Sequence, residues 1–151
     1  MDAVRLIGAS RRALAQCSEA ADVMAEACRA QALAQAVGGY LAATGPPALR
    51  GEAESLAEVS SRGIGPPDAP GHAARLTTVG DLRTTLLALS ALLGEVATAL
   101  VGVVCDADDH GLYWRCVESM DAADESADRV HELLRRVELG EPGLPRAAGH
   151  V

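Results

Sequence analysis

The segment at residues 84–104, TTLLALSALLGEVATALVGVV, holds a single charged residue, Glu95, in 21 positions. Apolar residues recur in alternating steps of three and four along it and just before it, an unbroken heptad stripe: Val79, Leu82, Leu86, Leu89, Leu93, Val96, Leu100 and Val103. This spacing is typical of a helix packed lengthwise against other helices. Further apolar residues widen the face: Leu87, Leu92, Val101 and Val104. Because a helix that is apolar nearly all round is normally buried, we expect this helix at the centre of an all-α protein.

The rest of the chain also predicts helices. They cover residues 2–16, 19–43, 47–62 and 112–138, with the apolar helix at 73–104. Ser18 is a suitable N-cap, and Pro47 suits the first position of a helix. The glycine- and proline-rich stretch at 63–71 predicts a loop, and residues 140–151 predict a disordered tail. The expected fold is one domain over residues 1–139, an antiparallel bundle of four main helices plus a short N-terminal helix.

Charge and cysteine usage narrow the expected partners and compartment. The net charge of −8 argues against nucleic acid and anionic membrane surfaces, which need clustered cations. Four cysteines without CxxC spacing, and no leader after Asp2, predict a cytoplasmic protein with reduced thiols. A membrane span is disfavoured because Glu95 lies at the centre of the apolar segment and no aromatic or basic belt brackets both of its ends. We expect no cofactor.

Acidic residues form a stripe along the last helix. Its packing seam is predicted to contain Tyr113, Cys116, Met120, Ala123, Ala127, Val130, Leu134 and Val137. The string DxxDExxD resembles the carboxylate helices of metal-dependent all-α nucleotide pyrophosphohydrolases. With the seam at heptad positions a and d, however, the acids fall at b and f, on the outside, and Asp124 falls on the flank. A phosphoester or nucleotide hydrolase remains an alternative, with catalytic candidates Asp121, Asp124, Asp128 and Glu95.

A second metal pattern lies in the turn before that helix. Asp106, Asp108 and Gly111 match positions 1, 3 and 6 of an EF-hand loop. Position 12 is Val117 where a bidentate Glu is required, so an acidic turn at the start of a helix is the better interpretation. No metal is expected, and the alternative ligand set is Asp106, Asp108, Asp121 and Glu125.

Glu95 and Trp114 are the remaining candidates for a functional role. A carboxylate within the apolar helix predicts an ion pair with an arginine, or else the polar contact of a small apolar ligand held between helices. Trp114 falls at heptad position b, off the seam. Because tryptophan is common among interface hot spots, we expect Trp114 to anchor a contact with another chain together with Leu112 and Arg115.

Two strings carry a resemblance to a known family: AQALAQAVGGYLAATGPPALRGEA and LLGEVATALVGVVCDADDHGLYWRCVESMDAADESADRV. Over roughly residues 3–137 the chain resembles an uncharacterised family of short helical proteins from high-GC filamentous actinobacteria. The resemblance implies a soluble cytoplasmic helical protein, without a known activity or cofactor. The sequence favours a non-enzymatic protein that self-associates or binds another protein. The alternatives are the metal-dependent hydrolase and the small-ligand binder.

Overall fold

The computed structural model describes residues 2–62 and 81–139, and these two ranges contain helices and no strand. The helices are α1 (Ala3–Ala15), α2 (Ala20–Thr44), α3 (Arg50–Arg62), α4 (Leu82–Asp106) and α5 (His110–Glu138). The all-α prediction is confirmed. The predicted loop at 63–71, the tail at 140–151, Val79 and the expected first residues of the apolar helix lie outside the described residues.

Local signals set the helix ends. The Asp2 carboxylate accepts a hydrogen bond from the Val4 N–H at 3.3 Å and caps α1. Asp109 caps α5 by accepting from the Gly111 N–H at 2.9 Å. Pro47 opens a 3₁₀ turn, Pro47–Leu49, so α3 begins later than predicted. Within the described residues, α2, α4 and α5 are long, and α1 and α3 have 13 residues each, so the expected set of four main helices is not confirmed.

Contacts between side chains give the directions of the helix pairs. Arg83, near the start of α4, lies 3.4 Å from Glu138 at the end of α5, so these two helices run antiparallel. The sulfurs of Met24, near the start of α2, and Cys116, near the start of α5, are 3.5 Å apart. A second contact between α2 and α5 lies farther along both helices, so this pair runs parallel. Antiparallel packing therefore does not describe every neighbouring pair.

The core is built from leucine, valine and alanine of all five helices. One side of α4 supplies a continuous row of it: Leu86, Leu89, Leu93, Val96 and Leu100. This confirms the heptad stripe. The expectation that α4 is central and buried all round is wrong, because Leu87 is 43% exposed and Val101 46% exposed. Helices α1, α2 and α5 all pack against α4, and they leave Leu87 and Val101 uncovered.

The predicted seam of α5 is correct for most of its length. Cys116, Ala123, Val130 and Leu134 are buried. Tyr113 is 39% exposed, so its assignment to the seam is wrong. Tyr113 lies in the first turn of α5, where burial begins only at Cys116. From there onward the apolar periodicity and the observed burial agree.

Candidate interaction surface

An uncovered apolar face lies on the side of α4 opposite its buried row. Five residues in steps of four, three, four and three form it, and we call them the outer face: Leu87, Ala91, Gly94, Thr98 and Val101. A second heptad stripe on a helix whose first stripe is already buried indicates a surface suited to another helix. Its large apolar side chains, Leu87 and Val101, are nearly half exposed.

An open groove of ≈ 800 Å³ lies between α1 and α4 and includes the middle of the outer face. Gly8, Arg11 and Arg12 line it from α1, and Ala91, Gly94 and Thr98 line it from α4 together with Glu95. The groove therefore combines apolar walls with charged side chains. It is the place in the described residues that comes nearest to the small-ligand alternative, because Glu95 is at its edge.

Arg11 and Glu95 form a two-point ion pair across this groove. The Arg11 Nε and Nη2 atoms each donate to a Glu95 carboxylate oxygen at 2.9 Å. The expectation that Glu95 pairs with an arginine is confirmed. The hydrogen bonds from Arg11 hold the pKa of Glu95 below its usual value, and Glu95 in turn raises the pKa of Arg11. Both side chains are 43% exposed, so the pair is a tie between α1 and α4 rather than a buried charge.

Two residues beside this ion pair, Arg12 and Gly94, could make further contacts. Arg12 is exposed and makes no ion pair with any residue in the described ranges. A Cβ atom added at Gly94 would meet nothing within 4 Å. A side chain at position 94 would therefore meet no other part of the described chain, so packing within it does not require a glycine there.

Trp114 lies in a small aromatic cluster at the start of α5. It is 51% exposed, and its indole Nε1–H donates to His110 Nε2 at 2.9 Å. Tyr113 packs edge-on against it, with ring centroids 5.4 Å apart. Arg115 is exposed and Leu112 is half-buried against the core. Trp114 and Arg115 are therefore exposed in the same turn, whereas Leu112, two residues before Trp114, lies on the side of the helix that packs against the core.

The acids of the hydrolase alternative are dispersed. Every one of the following is exposed: Asp106, Asp108, Asp121, Asp124, Glu125 and Asp128. Within residues 2–62 and 81–139, no group of three or more His, Cys, Asp or Glu residues could hold a metal ion. The acids that do face inward on other helices are Glu26, which pairs with Arg29, and Glu52, which pairs with Arg129 and Arg136. Arginines occupy these carboxylates, so the structure does not assemble an acidic centre from them.

A buried polar cluster was not predicted. Ser126 donates to Gln31 Oε1 at 2.8 Å, and the Ser60 and Ser126 hydroxyl oxygens are 3.0 Å apart. All three residues are almost fully buried. The sequence gives one weak signal, since the three lie at helical spacing from core residues, but polar side chains at such positions normally indicate the solvent side.

By length and composition alone, α4 could also cross a membrane. The core helices of soluble proteins pass the same test. Of its most apolar 18-residue stretch, 28% is buried inside the protein, because α4 is covered on one side only. Helix composition alone does not tell whether water, a lipid surface or a second chain meets the outer face.

Comparison with known proteins gives a family and no function. No curated protein and no solved structure is significantly similar to the chain. Residues 1–136 match a family of unknown function, DUF6099, which confirms the expected relationship to an uncharacterised family. Because this match covers most of its length, the chain belongs to the DUF6099 family.

Proposed function

We propose that this protein is a non-enzymatic helical interaction protein that self-associates through the outer face of α4. The observation that carries the proposal is the exposure of Leu87 and Val101 on one line of a helix whose other side is the core. Burying a large aliphatic side chain gains ~1.5–3 kcal/mol. An uncovered apolar face of this kind marks an interaction site.

The dimensions of the outer face suit a modest dimer interface. At ~1.5 Å per residue and ~10 Å in width, the outer face from Leu87 to Val101 offers a strip about 21 Å long. With a similar area from the adjoining side of α1, two copies would bury on the order of 800 Å² in total, in the range of weak interfaces. We therefore expect association in the micromolar range, at Kd of about 1–100 μM.

The aromatic cluster of α5 supports a second contact, with a different protein. Trp114 is exposed and held in one orientation by His110. A pre-oriented tryptophan loses little side-chain freedom on binding, and such residues dominate interface energetics. We propose that Trp114, Leu112 and Arg115 bind a partner protein on a surface separate from the dimer face.

Light scattering over a dilution series tests the self-association. The apparent mass should rise from that of the 15.5 kDa chain towards twice that value as the concentration increases from ~1 to ~100 μM. A parallel sample with anionic and zwitterionic lipid vesicles tests whether a lipid surface, rather than a second copy, covers the outer face of α4. A strict monomer over the whole series, or a monomer that binds vesicles, would contradict the proposal.

A further inference from the structure

Gly94 is the midpoint of the outer face. Leu87 lies seven residues before it and Val101 seven residues after it, which is two helical turns on either side. Seven residues return a helix to nearly the same direction, so the three residues share one line. Two copies of α4 in opposite directions, centred on Gly94, would place Leu87 of each copy against Val101 of the other.

The size order along this line favours a close crossing. Small residues occupy the middle, Ala91, Gly94 and Thr98, and larger ones stand at both ends. Small residues allow two helix backbones to approach, and the larger side chains then pack around the crossing. Glycine alone does not mark such a site, because Gly39 and Gly51 are also helical and open. The position of Gly94 between two exposed apolar side chains distinguishes it.

The two-fold axis of the dimer determines where the charged residues beside Gly94 lie in the two copies. A two-fold axis perpendicular to α4 and lying in the interface reverses the helix and keeps α1 on the same side in both copies. The groove residues of the two copies then face each other next to the axis. A two-fold axis along α4 keeps the helices parallel and places the two α1 helices on opposite sides.

Only the first arrangement brings the charged groove residues of the two copies together. Glu95 has two carboxylate oxygens and receives one arginine, Arg11, from its own chain. Arg12 lines the same groove and has no ion-pair partner among the described residues. Because the carboxylate is 43% exposed, it can accept a second guanidinium from outside.

We infer that two copies pack antiparallel through α4 about a two-fold axis at Gly94, with Arg12 of each copy beside Glu95 of the other. This inference rests on the proposed self-association. It assigns the occupant of the outer face as a second copy in one defined orientation. The interface is isologous, so the assembly closes as a dimer and does not extend into a filament.

Disulfide trapping tests the orientation. In a Cys105→Ser parent, Gly94→Cys places its new cysteine on the axis, where the two Cα atoms come within the ~7 Å that a disulfide requires. In the unmodified chain the exposed Cys105 lies 11 residues from Gly94, so the two copies hold it ~33 Å apart. Mild oxidation should cross-link Gly94→Cys and leave wild type uncross-linked. Oxidation of the Cys105→Ser parent measures how much cross-linking comes from Cys17, Cys28 and Cys116.

The outcomes separate this inference from the proposed function. Cross-linking of wild type through Cys105 would overturn the antiparallel packing, whether or not Gly94→Cys cross-links, and would leave the self-association standing. A dimer by light scattering with neither cross-link would do the same. A monomer at every concentration would overturn both. If Gly94→Cys misfolds, the single variants Leu87→Cys and Val101→Cys in the Cys105→Ser parent replace it: they should cross-link when mixed and not when oxidised separately, whereas parallel packing would cross-link each variant alone.

A pair of charge reversals tests the groove. Arg12→Glu sets two carboxylates against each other at the axis, and we expect the dimer Kd to rise about tenfold. Arg5→Glu is the matched control, since Arg5 is exposed on the same face of α1, two turns away, and does not line the groove. Its Kd should change by less than about twofold. Equal effects of the two variants would overturn the placement of Arg12 beside Glu95.

Discussion

Ser126 on α5 donates its hydroxyl hydrogen to Gln31 on α2 at 2.8 Å, in the middle of an otherwise apolar core. Because this bond uses the only hydroxyl hydrogen of Ser126, Ser60 on α3 is the donor in its 3.0 Å contact with Ser126. One serine therefore joins three helices. The Gln31 amide nitrogen has no hydrogen-bond partner in this cluster. The polar link still favours one helix register, because a slip would also leave the Gln31 carbonyl oxygen and the Ser60 hydroxyl unpaired.

Ser126→Ala removes this link and, although it is a small substitution, should destabilise the fold clearly. Ser126→Ala leaves Gln31 Oε1 and the Ser60 hydroxyl without their partner, and we expect a loss of ~1–3 kcal/mol in the free energy of unfolding. Urea denaturation monitored by circular dichroism measures it. Ser61→Ala is the control, since Ser61 is exposed and bonds only within its own helix. Equal effects of the two variants would contradict the role of the buried link.

Adjacent glycines of α2 should respond in opposite directions. A Cβ atom at Gly38 would lie 2.7 Å from the Ala57 nitrogen and 2.8 Å from the Ala53 oxygen, both backbone atoms of α3. Gly38→Ala should therefore destabilise the fold by ~1–3 kcal/mol through overpacking. Gly39 is open, so Gly39→Ala should stabilise by ~0.5–1 kcal/mol through helix propensity. Thermal unfolding of both variants checks the pair, and the same sign for both would refute the close packing of α2 on α3.

The ion pair between Arg11 and Glu95 predicts a pH dependence. The pKa of Glu95 is lowered in the folded state, so the stability from the pair is present above the unfolded pKa. It is lost as the pH falls through the lowered folded value. Since both groups are half exposed, Arg11→Gln should cost no more than ~1 kcal/mol at neutral pH.

Urea denaturation of wild type and Arg11→Gln at neutral and acidic pH measures this difference. It should disappear on the acidic side of the lowered Glu95 pKa. A difference that stays constant into acid would mean that Arg11 acts through the packing of its aliphatic stem rather than through its charge.

Trp114→Ala separates an interface residue from a core residue. Trp114 is 51% exposed, so we expect unchanged helical content and a stability change below ~1 kcal/mol. Binding to a partner protein isolated with the wild-type chain should weaken by ~2 kcal/mol or more. A loss of ~3–5 kcal/mol in unfolding free energy would instead assign Trp114 to the core.

Periodicity predicted the helices well because it reports the buried side of each one. The heptad stripe of α4 and most of the α5 seam are correct for this reason. It failed for Leu87 and Val101, because apolar periodicity does not tell whether a face is covered by the same chain or by another. It failed for Tyr113 because the first turn of α5 precedes the buried part of that helix.

The contacts of the candidate site were less accessible to sequence reasoning. A charge in an apolar helix predicted that Glu95 would pair with an arginine, but only the fold identifies Arg11 among thirteen basic residues. The groove depends on how α1 lies against α4, which no local pattern specifies. The cluster of Gln31, Ser60 and Ser126 joins residues from three helices, so its hydrogen bonds become visible only after packing.

The proposed self-association depends on the outer face of α4, and sedimentation velocity of a charge variant tests it most directly. Leu87→Glu/Val101→Glu introduces four like charges into the proposed dimer and alters no buried position. Leu139→Glu is the control, since Leu139 is 65% exposed at the end of α5. At ~100 μM, wild type and the control should be at least half dimeric and sediment faster than the double variant, which should sediment as a folded monomer. A double variant that sediments like wild type, or a wild type that is monomeric, would contradict the account.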